Sequence, residues 1–321
     1  MKPLPTKPLP TLRAAQLTAA PSAAPSWLIE GLWSAQAVGI IGGEPKCCKS
    51  FLALDLAVAV ASGSPCLRCF PAAQRGPVLL FAAEDAAVVV RQRLEGIAAV
   101  AGVDFETLDV HLITVPTLRL DRHDDRQALA ATVAQLQPTL LVLDPFVRLH
   151  GIDENAAAEV APLLAYLRNL QRDLHTAVAL VHHARKGAAH ERGGQALRGS
   201  SEFHAWGDSN LYMRRIGGQL QLSVEHRAAP GRGWLPLALR EDPPVLQIVD
   251  QQPAPATARP SCRERIEQIL AEVAQPLSQK QIRNIVHART GDVSQALAAL
   301  VADRRVVKSA AGYQPAAAPQ P

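Results

Sequence analysis

The stretch GGEPKCCKSF, residues 42–51, is the most informative part of the sequence for the fold. It follows the apolar run AVGII and precedes the apolar segment LALDLAVAVA, so the pattern predicts a short buried strand, a loop and a helix. Phosphate-binding loops in this context have the pattern G-x-x-x-x-G-K-[ST], and Gly43, Lys49 and Ser50 stand at the required offsets. Cys48 occupies the position of the second glycine. The stretch therefore predicts a phosphate site with one unusual residue.

The loop amides and the start of the helix would supply a positive field for the phosphates of ATP. Lys49 is predicted to reach the β- and γ-phosphates, and the Ser50 hydroxyl to coordinate Mg²⁺. The predicted nucleotide-binding residues are Gly43, Glu44, Pro45, Lys46, Cys47, Cys48, Lys49, Ser50 and Phe51. The alternative is an ordinary strand–helix connection that contains a lysine.

Cys48 bears on the efficiency of such a site. A residue other than glycine in a left-handed conformation costs about 1–2 kcal/mol, which a domain of this size tolerates. Because cysteine is small, we expect slower or weaker nucleotide use rather than none. We also expect Lys49 and the helix N-terminus to lower the pKa of the thiol and make it oxidisable.

Apolar runs alternate with helical segments up to about residue 250 and predict a three-layer α/β domain with a mostly parallel sheet. Beyond AVGIIGG, the predicted strands are PVLLFAAED, VHLITV, TLLVLDP and TAVALVHHA. The predicted helices are Ser50–Ser62, Ala86–Val100 (with Arg91, Arg93 and Glu95 on its exposed face), Asp124–Gln135 and Ala156–Leu174. SNLYMRRIGGQLQLSVEHR predicts a hairpin that turns at Gly217–Gly218 and adds antiparallel strands. The segment from Trp27 to Trp33 is expected to pack onto this domain.

Two acidic residues end predicted strands, Glu84 in PVLLFAAE and Asp144 in TLLVLD. Ligands of open α/β sheets sit at the carboxyl edge of the strands, so both acids are expected to converge on the loop. An ATPase of this kind needs an acid beside Mg²⁺ and a carboxylate that orients the attacking water. Acids also end strands as helix caps, which is the structural alternative for each of them taken singly.

The segments GGEPKCCKS, LLFAAED, LLVLDPFVRLHGIDEN, LVHHARKG and ALRGSS resemble RecA-fold P-loop ATPases of the plasmid RepA helicase type, also called AAA family ATPases, over about residues 27–227. The resemblance implies an ATP-driven motor on single-stranded DNA that forms a ring, usually a hexamer, and belongs to a plasmid, phage or other mobile element. It implies that Glu84 is the catalytic base and Asp144 the metal-associated acid. It also implies that His183 senses the γ-phosphate and that Arg198 reaches the neighbouring subunit's site.

Two of these assignments leave alternatives. Since the period of a strand is two, only one of His182 and His183 faces the ligand, and the resemblance favours His183. For the arginine that acts in trans, Arg185, Lys186 and Arg192 lie in the same loop as Arg198. This loop, residues 185–199, would line the pore of a ring and follow a nucleic-acid backbone, or it is a solvated surface loop.

The predicted organisation has five parts: a disordered segment 1–26, the ATPase domain 27–250, a linker 251–260, a winged helix-turn-helix domain 261–314 and a disordered tail 315–321. CRERIEQILAEV, LSQKQIRNIVHAR (from Ser278) and VSQALAALVADRR predict three helices, and RVVKSAAGYQP two short strands. Gln295 would face a DNA groove, although the few arginines of its helix make a protein partner equally expected.

The amino-acid composition narrows the class of protein. The chain of 321 residues is 48% hydrophobic and 19% charged with a formal charge of +4, which suits an ordinary soluble enzyme. Five cysteines, no apolar signal segment and no membrane-spanning run favour a cytoplasmic protein without disulfides and without a membrane partner. Cys66 and Cys69 form a single C-x-x-C pair, so buried or partly exposed thiols are expected rather than zinc ligands.

Three function hypotheses follow. The first is an ATP-hydrolysing motor of the RepA helicase type that acts on DNA in the replication or maintenance of a mobile element. The second is an ATP-controlled DNA-binding regulator or loader that does not unwind DNA. The third is an ATP-binding switch with a protein partner on the winged helix. The two acids and the histidine favour hydrolysis over static binding.

Overall fold

The computed structural model describes residues 11–16, 26–184, 202–249, 262–273, 275–286, 290–303, 305–309 and 312–316. The chain divides into two compact units, residues 1–250 and 251–321, which are described separately. The predicted linker lies outside the described residues, as do most of the segments predicted to be disordered. Within residues 11–16, Ala14–Gln16 form one 3₁₀ turn.

The first unit is built on a sheet in which the described residues form nine strands. A separate pair, β1 (Trp27–Ile29) and β2 (Trp33–Ser34), precedes it. The sheet strands are β3 (Val38–Gly43), β4 (Val78–Ala82), β5 (Val110–Leu112), β6 (Leu140–Asp144), β7 (Ala177–His183), β8 (Ser209–Ile216), β9 (Gln219–His226), β10 (Arg232–Glu241) and β11 (Pro244–Ile248). Their order across the sheet is β11-β10-β9-β8-β3-β7-β6-β4-β5. Pairing is parallel from β8 to β5 and antiparallel from β8 to β11.

Five helices within residues 26–184 and 202–249 cover the two faces of the sheet. On one face lie α1 (Lys49–Ser62) and α2 (Ala87–Ala101), whose apolar side chains pack with those of β4 and β6. On the other face lie α3 (His123–Leu136), α4 (Ala157–Leu174) and α5 (Glu202–Trp206). Because both faces are covered, the central strands are apolar throughout: every residue of β3 and of β6 is buried. The predicted mostly parallel α/β sheet is confirmed.

The hairpin is also confirmed, since β8 and β9 pair in register around Gly217–Gly218. The segment Trp27–Trp33 packs as expected, with Leu28 and Trp33 fully buried. Two differences stand out. The predicted strand VHLITV forms a ladder only over Val110–Leu112, and the sheet is wider than predicted because β10 and β11 extend it beyond the hairpin.

The second unit contains α6 (Cys262–Glu272), α7 (Gln279–Val286), α8 (Thr290–Ala302) and the antiparallel pair β12 (Val306–Ser309) and β13 (Gly312–Pro315). Buried aliphatic side chains from the three helices and β12 form its core. The start of α7 is fixed by reciprocal hydrogen bonds in which Ser278 N–H donates to Gln281 Oε1 and Gln281 N–H to Ser278 Oγ. Gln295 is exposed on α8.

In the part of the chain that the structure describes, no helix is both long and apolar enough to cross a membrane.

Candidate functional site

The loop between β3 and α1 is shaped by close backbone packing and by left-handed residues. A Cβ on Gly43 would lie 2.3 Å from the carbonyl oxygen of Met213, so β3 and β8 approach as they do only because residue 43 is glycine. Lys46 and Cys48 have φ of 65° and 60°. The Lys49 side chain is buried and its Nζ donates to the carbonyl oxygen of Glu44 at 2.8 Å. Burial lowers the pKa of Lys49.

A cavity of about 290 Å³ opens at the carboxyl edge of the central strands, next to this loop. The loop and the start of α1 contribute Lys46, Cys48, Lys49, Ser50 and Phe51 to its wall. The strand ends contribute Glu84, Asp144 and His183. The structure therefore brings both predicted acids and the favoured histidine to the same cavity as the lysine and serine of the loop. Gly43, Glu44, Pro45 and Cys47 belong to the loop without lining this cavity.

Asp144 is the buried acid of the site. It ends β6, is 9% exposed and accepts a hydrogen bond from the Ser50 side chain. Burial raises the pKa of Asp144 to about 6, and the Ser50 hydrogen bond opposes part of that rise. Asp85 and Glu84 add negative charge nearby, while Lys49 adds positive charge. The carboxylate and the hydroxyl of Ser50 thus lie side by side.

Glu84 occupies a more open position than Asp144. It lies two residues beyond the end of β4, the neighbour of β6, and its side chain is 45% exposed. Its Oε1 accepts a hydrogen bond from Arg148 Nε at 2.9 Å. Glu84 is therefore held by an ion pair with Arg148, which lies in the connection that follows β6.

The two histidines at the end of β7 face opposite sides of the sheet. His183 pairs with Gly43 in the strand ladder and lines the cavity. His182 is buried on the other side, where its ring stacks on Phe203 with centroids 4.1 Å apart. Strand alternation separates the two rings and leaves His183 as the histidine at the cavity.

A family model described as an AAA domain matches residues 3–189. The chain belongs to the AAA domain family. Among solved structures, the ATPase domain of another protein is similar, with a TM-score of 0.53 at 12% identity over 67% of this chain and 85% of that one. At this identity the likeness shows the fold, and together with the family it makes the chain a RecA-like P-loop ATPase.

Two further solved structures are similar. They are a KaiC-like protein, PH0186, from Pyrococcus horikoshii OT3 (TM-score 0.48, 14% identity, 69% of this chain and 93% of that one) and the RadB recombinase (TM-score 0.49, 16% identity, 67% of this chain and 92% of that one).

The AAA domain site contains two residues to which the sequence motifs gave no role there. Asp85 and Arg93 both line the cavity and form an ion pair with each other. The Arg93 guanidinium also lies over the Phe51 ring, 4.8 Å from the ring centroid. The prediction that Arg93 belongs to the exposed face of α2 is wrong, because its side chain is only 22% exposed. The position of Asp85, directly after Glu84 at the strand end, was the signal that could have found this pair.

The expected lowering of the Cys48 pKa is also wrong. Burial raises the pKa of the Cys48 thiol and outweighs the opposing charges of Arg215, Lys49 and Arg93. Arg215, near the end of β8, also hydrogen-bonds the Cys48 side chain. The thiol of this AAA domain is therefore kept protonated more strongly than an ordinary cysteine.

Other candidate residues lie apart from the cavity or outside the described residues. Arg198 and its alternatives Arg185, Lys186 and Arg192 are outside the described residues, as is the loop 185–199. Cys66 is buried and Cys69 is exposed. Among the described residues, no cluster of three or more His, Cys, Asp or Glu side chains could hold a metal ion by itself.

Proposed function

We propose that this RecA-like ATPase is a motor of the RepA helicase type that hydrolyses ATP to act on DNA in the replication or maintenance of a mobile element. The observation that carries the proposal is the convergence of Lys49, Ser50, Glu84, Asp144 and His183 on one cavity. A site for ATP binding alone needs the loop, whereas the two acids and the histidine add groups that hydrolysis requires.

The donor set fits Mg²⁺. The Ser50 hydroxyl and the Asp144 carboxylate are oxygen ligands of the kind that Mg²⁺ prefers. The hydrogen bond between them means that both lie close enough to hold the same ion. These two residues would hold the ion, directly or through water. When bound, Mg²⁺ neutralises charge on the phosphates.

The remaining side chains have separate roles in the proposal. Lys49 turns from the Glu44 carbonyl to the β- and γ-phosphates, which provide a stronger, charged acceptor. Glu84 orients the attacking water and accepts its proton. His183 donates a hydrogen bond to the γ-phosphate.

The assembly and the partner in this proposal come from the RepA resemblance. Arg198 of one subunit would reach the nucleotide of its neighbour in a hexameric ring, so that hydrolysis depends on assembly. Single-stranded DNA would follow the loop 185–199 through phosphate contacts. The second unit would act as a winged helix-turn-helix that binds DNA or a protein partner.

A second candidate function is an ATP-controlled DNA-binding regulator or loader without unwinding activity. It is supported by the second compact unit, whose three helices and β-hairpin have the element order of a winged helix-turn-helix and present Gln295 at the surface. DNA-stimulated ATP turnover fits both candidates, and a forked-duplex unwinding assay separates them.

The decisive experiment measures ATP turnover with and without single-stranded DNA for wild type and Lys49→Ala. Removing a preorganised charge from the phosphates is expected to lower kcat at least about 100-fold. Lys280→Ala, which removes an exposed lysine from α7, serves as the control for the measurement without DNA and should keep wild-type turnover there. Wild-type turnover in Lys49→Ala would contradict the proposed site, and a lack of DNA stimulation would contradict the DNA motor.

A further inference from the structure

The ion pair between Glu84 and Arg148 joins the two strand connections that carry the acids of the site. Arg148 ends the 3₁₀ turn Phe146–Arg148 that follows β6, and Glu84 follows β4. Strands β4 and β6 are paired up to Ala82 and Asp144, and the Ala83 N–H continues the ladder by donating to the Asp144 carbonyl at 2.8 Å. The backbone hydrogen bonds thus fix the connections that follow β4 and β6, and the Arg148–Glu84 ion pair joins these two connections.

Among the described contacts of the Arg148 side chain, the one with Glu84 is its connection to the cavity. Glu84 lines the cavity, whereas Arg148 does not, and the Arg148 side chain is 61% exposed. A carboxylate that orients and deprotonates water must offer its lone pairs to that water. In the structure the Arg148 Nε donates to Oε1 of that same carboxylate. The guanidinium therefore takes one lone pair of the carboxylate and fixes its orientation, which limits how the remaining lone pairs can meet the water.

We propose that Arg148 is a positioning residue that holds the Glu84 carboxylate away from the attacking water and thereby restrains ATP turnover. The inference rests on the proposed role of Glu84 as the base. Because both partners are largely exposed, the pair is weak and opens readily, so the restraint is modest. The range measured for exposed ion pairs corresponds to a change in rate of about 1.4- to fivefold, by about a factor of ten per 1.36 kcal/mol.

The test compares kcat and KM for ATP in wild type, Arg148→Ala and Arg148→Lys. Arg148→Ala should raise kcat about 1.4- to fivefold and leave KM unchanged, since Arg148 does not line the cavity. Arg148→Lys should keep kcat below that of Arg148→Ala, because an ammonium group still pairs with one carboxylate oxygen. An unchanged or lowered kcat in Arg148→Ala, or equal kcat values for the two variants, would overturn the inference.

The chain offers a closely matched control in α2. Arg91 Nε pairs with Glu95 Oε1 at 2.7 Å, and the two side chains are 58% and 42% exposed, nearly as in the Arg148–Glu84 pair. Neither residue lines the cavity. Arg91→Ala should therefore leave kcat at the wild-type value, and a matching rise in that variant would show that the effect is a general one of surface charge and overturn the inference.

Two further readouts distinguish positioning from a structural role. In the Glu84→Gln background, adding Arg148→Ala should leave the residual turnover unchanged; a further rise would overturn the inference. The ratio of kcat between Arg148→Ala and wild type should fall towards one as salt rises to about 0.5 M, because screening opens the exposed pair. Wild-type turnover in Glu84→Gln would instead refute the proposed base, which is a failure of the proposed function itself.

Discussion

Replacing Cys48 by glycine tests how much the unusual loop residue costs the protein. Cys48 precedes α1 with φ 60° and ψ 28°, a left-handed conformation that costs a residue with a Cβ about 1–2 kcal/mol. Glycine removes this cost. It also increases the conformational entropy of the unfolded chain, which destabilises the folded state by about 0.5–1 kcal/mol. The loss of a half-buried thiol lowers the free energy of unfolding by roughly a further 0.4 kcal/mol.

The sum is a small net stabilisation, centred on about 0.35 kcal/mol. For a unit of this size, that corresponds to an increase of about 1 °C in Tm. Turnover should be retained or raised, because the substitution removes a side chain from the cavity wall and leaves the amides of the loop in place. Urea denaturation followed by circular dichroism and a coupled ATPase assay measure the two effects on the same samples.

Gln137→Gly is the matched control for this substitution. Gln137 is an exposed C-cap residue of α3 with φ 50°, so glycine relieves the same kind of strain away from the cavity. This control should gain a similar stability and keep wild-type turnover. A complete loss of turnover in folded Cys48→Gly would contradict this expectation, since it would show that the thiol has a role beyond filling the position. A destabilisation greater than about 1 kcal/mol would refute the strain argument.

Two further predictions concern buried carboxylates. In the nucleotide-free protein, Asp144→Asn should be more stable than wild type by up to ~3 kcal/mol at pH 7, because the folded-state pKa of about 6 lies above the ordinary 3.8. Folding then favours the protonated acid, so the stability from this group is present below pH 3.8 and is lost as the pH rises through 6. Urea denaturation at pH 4 and pH 7 should therefore show most of the gain of Asp144→Asn at pH 7, and an equal gain at both would contradict the assignment. Arg68→Ala should lower the free energy of unfolding by about 3–5 kcal/mol, because it leaves the carboxylate of Asp55, 1% exposed, without its charged partner. Urea denaturation of Arg68→Ala beside Arg91→Ala checks this, and equal stabilities would contradict it.

The parallel core of the sheet was predictable from sequence because its strands are apolar on both faces. The runs IIGG, VLLFA, LLVLD and AVALV have no polar alternation, as a sheet covered on both sides requires. The hairpin was predictable for a different reason: Gly217 and Gly218, with φ of 56° and 84°, sit between two alternating segments.

The outer strands β10 and β11 were not predictable in the same way. Arg232–Glu241 contains Pro236 and several charged or half-buried residues, so its pattern is that of a loop as much as of an edge strand. The position of Arg93 was missed for a related reason. Helical periodicity separates a buried from an exposed face, but it does not show that a side chain at the margin reaches Asp85 and Phe51.

The different surroundings of the two strand-end acids support different tasks within the proposed reaction. Asp144 is buried and fixed by Ser50, which suits a group that must hold one position beside a metal ion. Glu84 is 45% exposed and held by a weak pair to Arg148, which suits a group that must bind water and release it again. Exchanging the tasks would place the exposed, readily moved carboxylate on the metal and leave the buried one without access to solvent water. The assignment therefore follows from burial as well as from the order of the motifs along the chain.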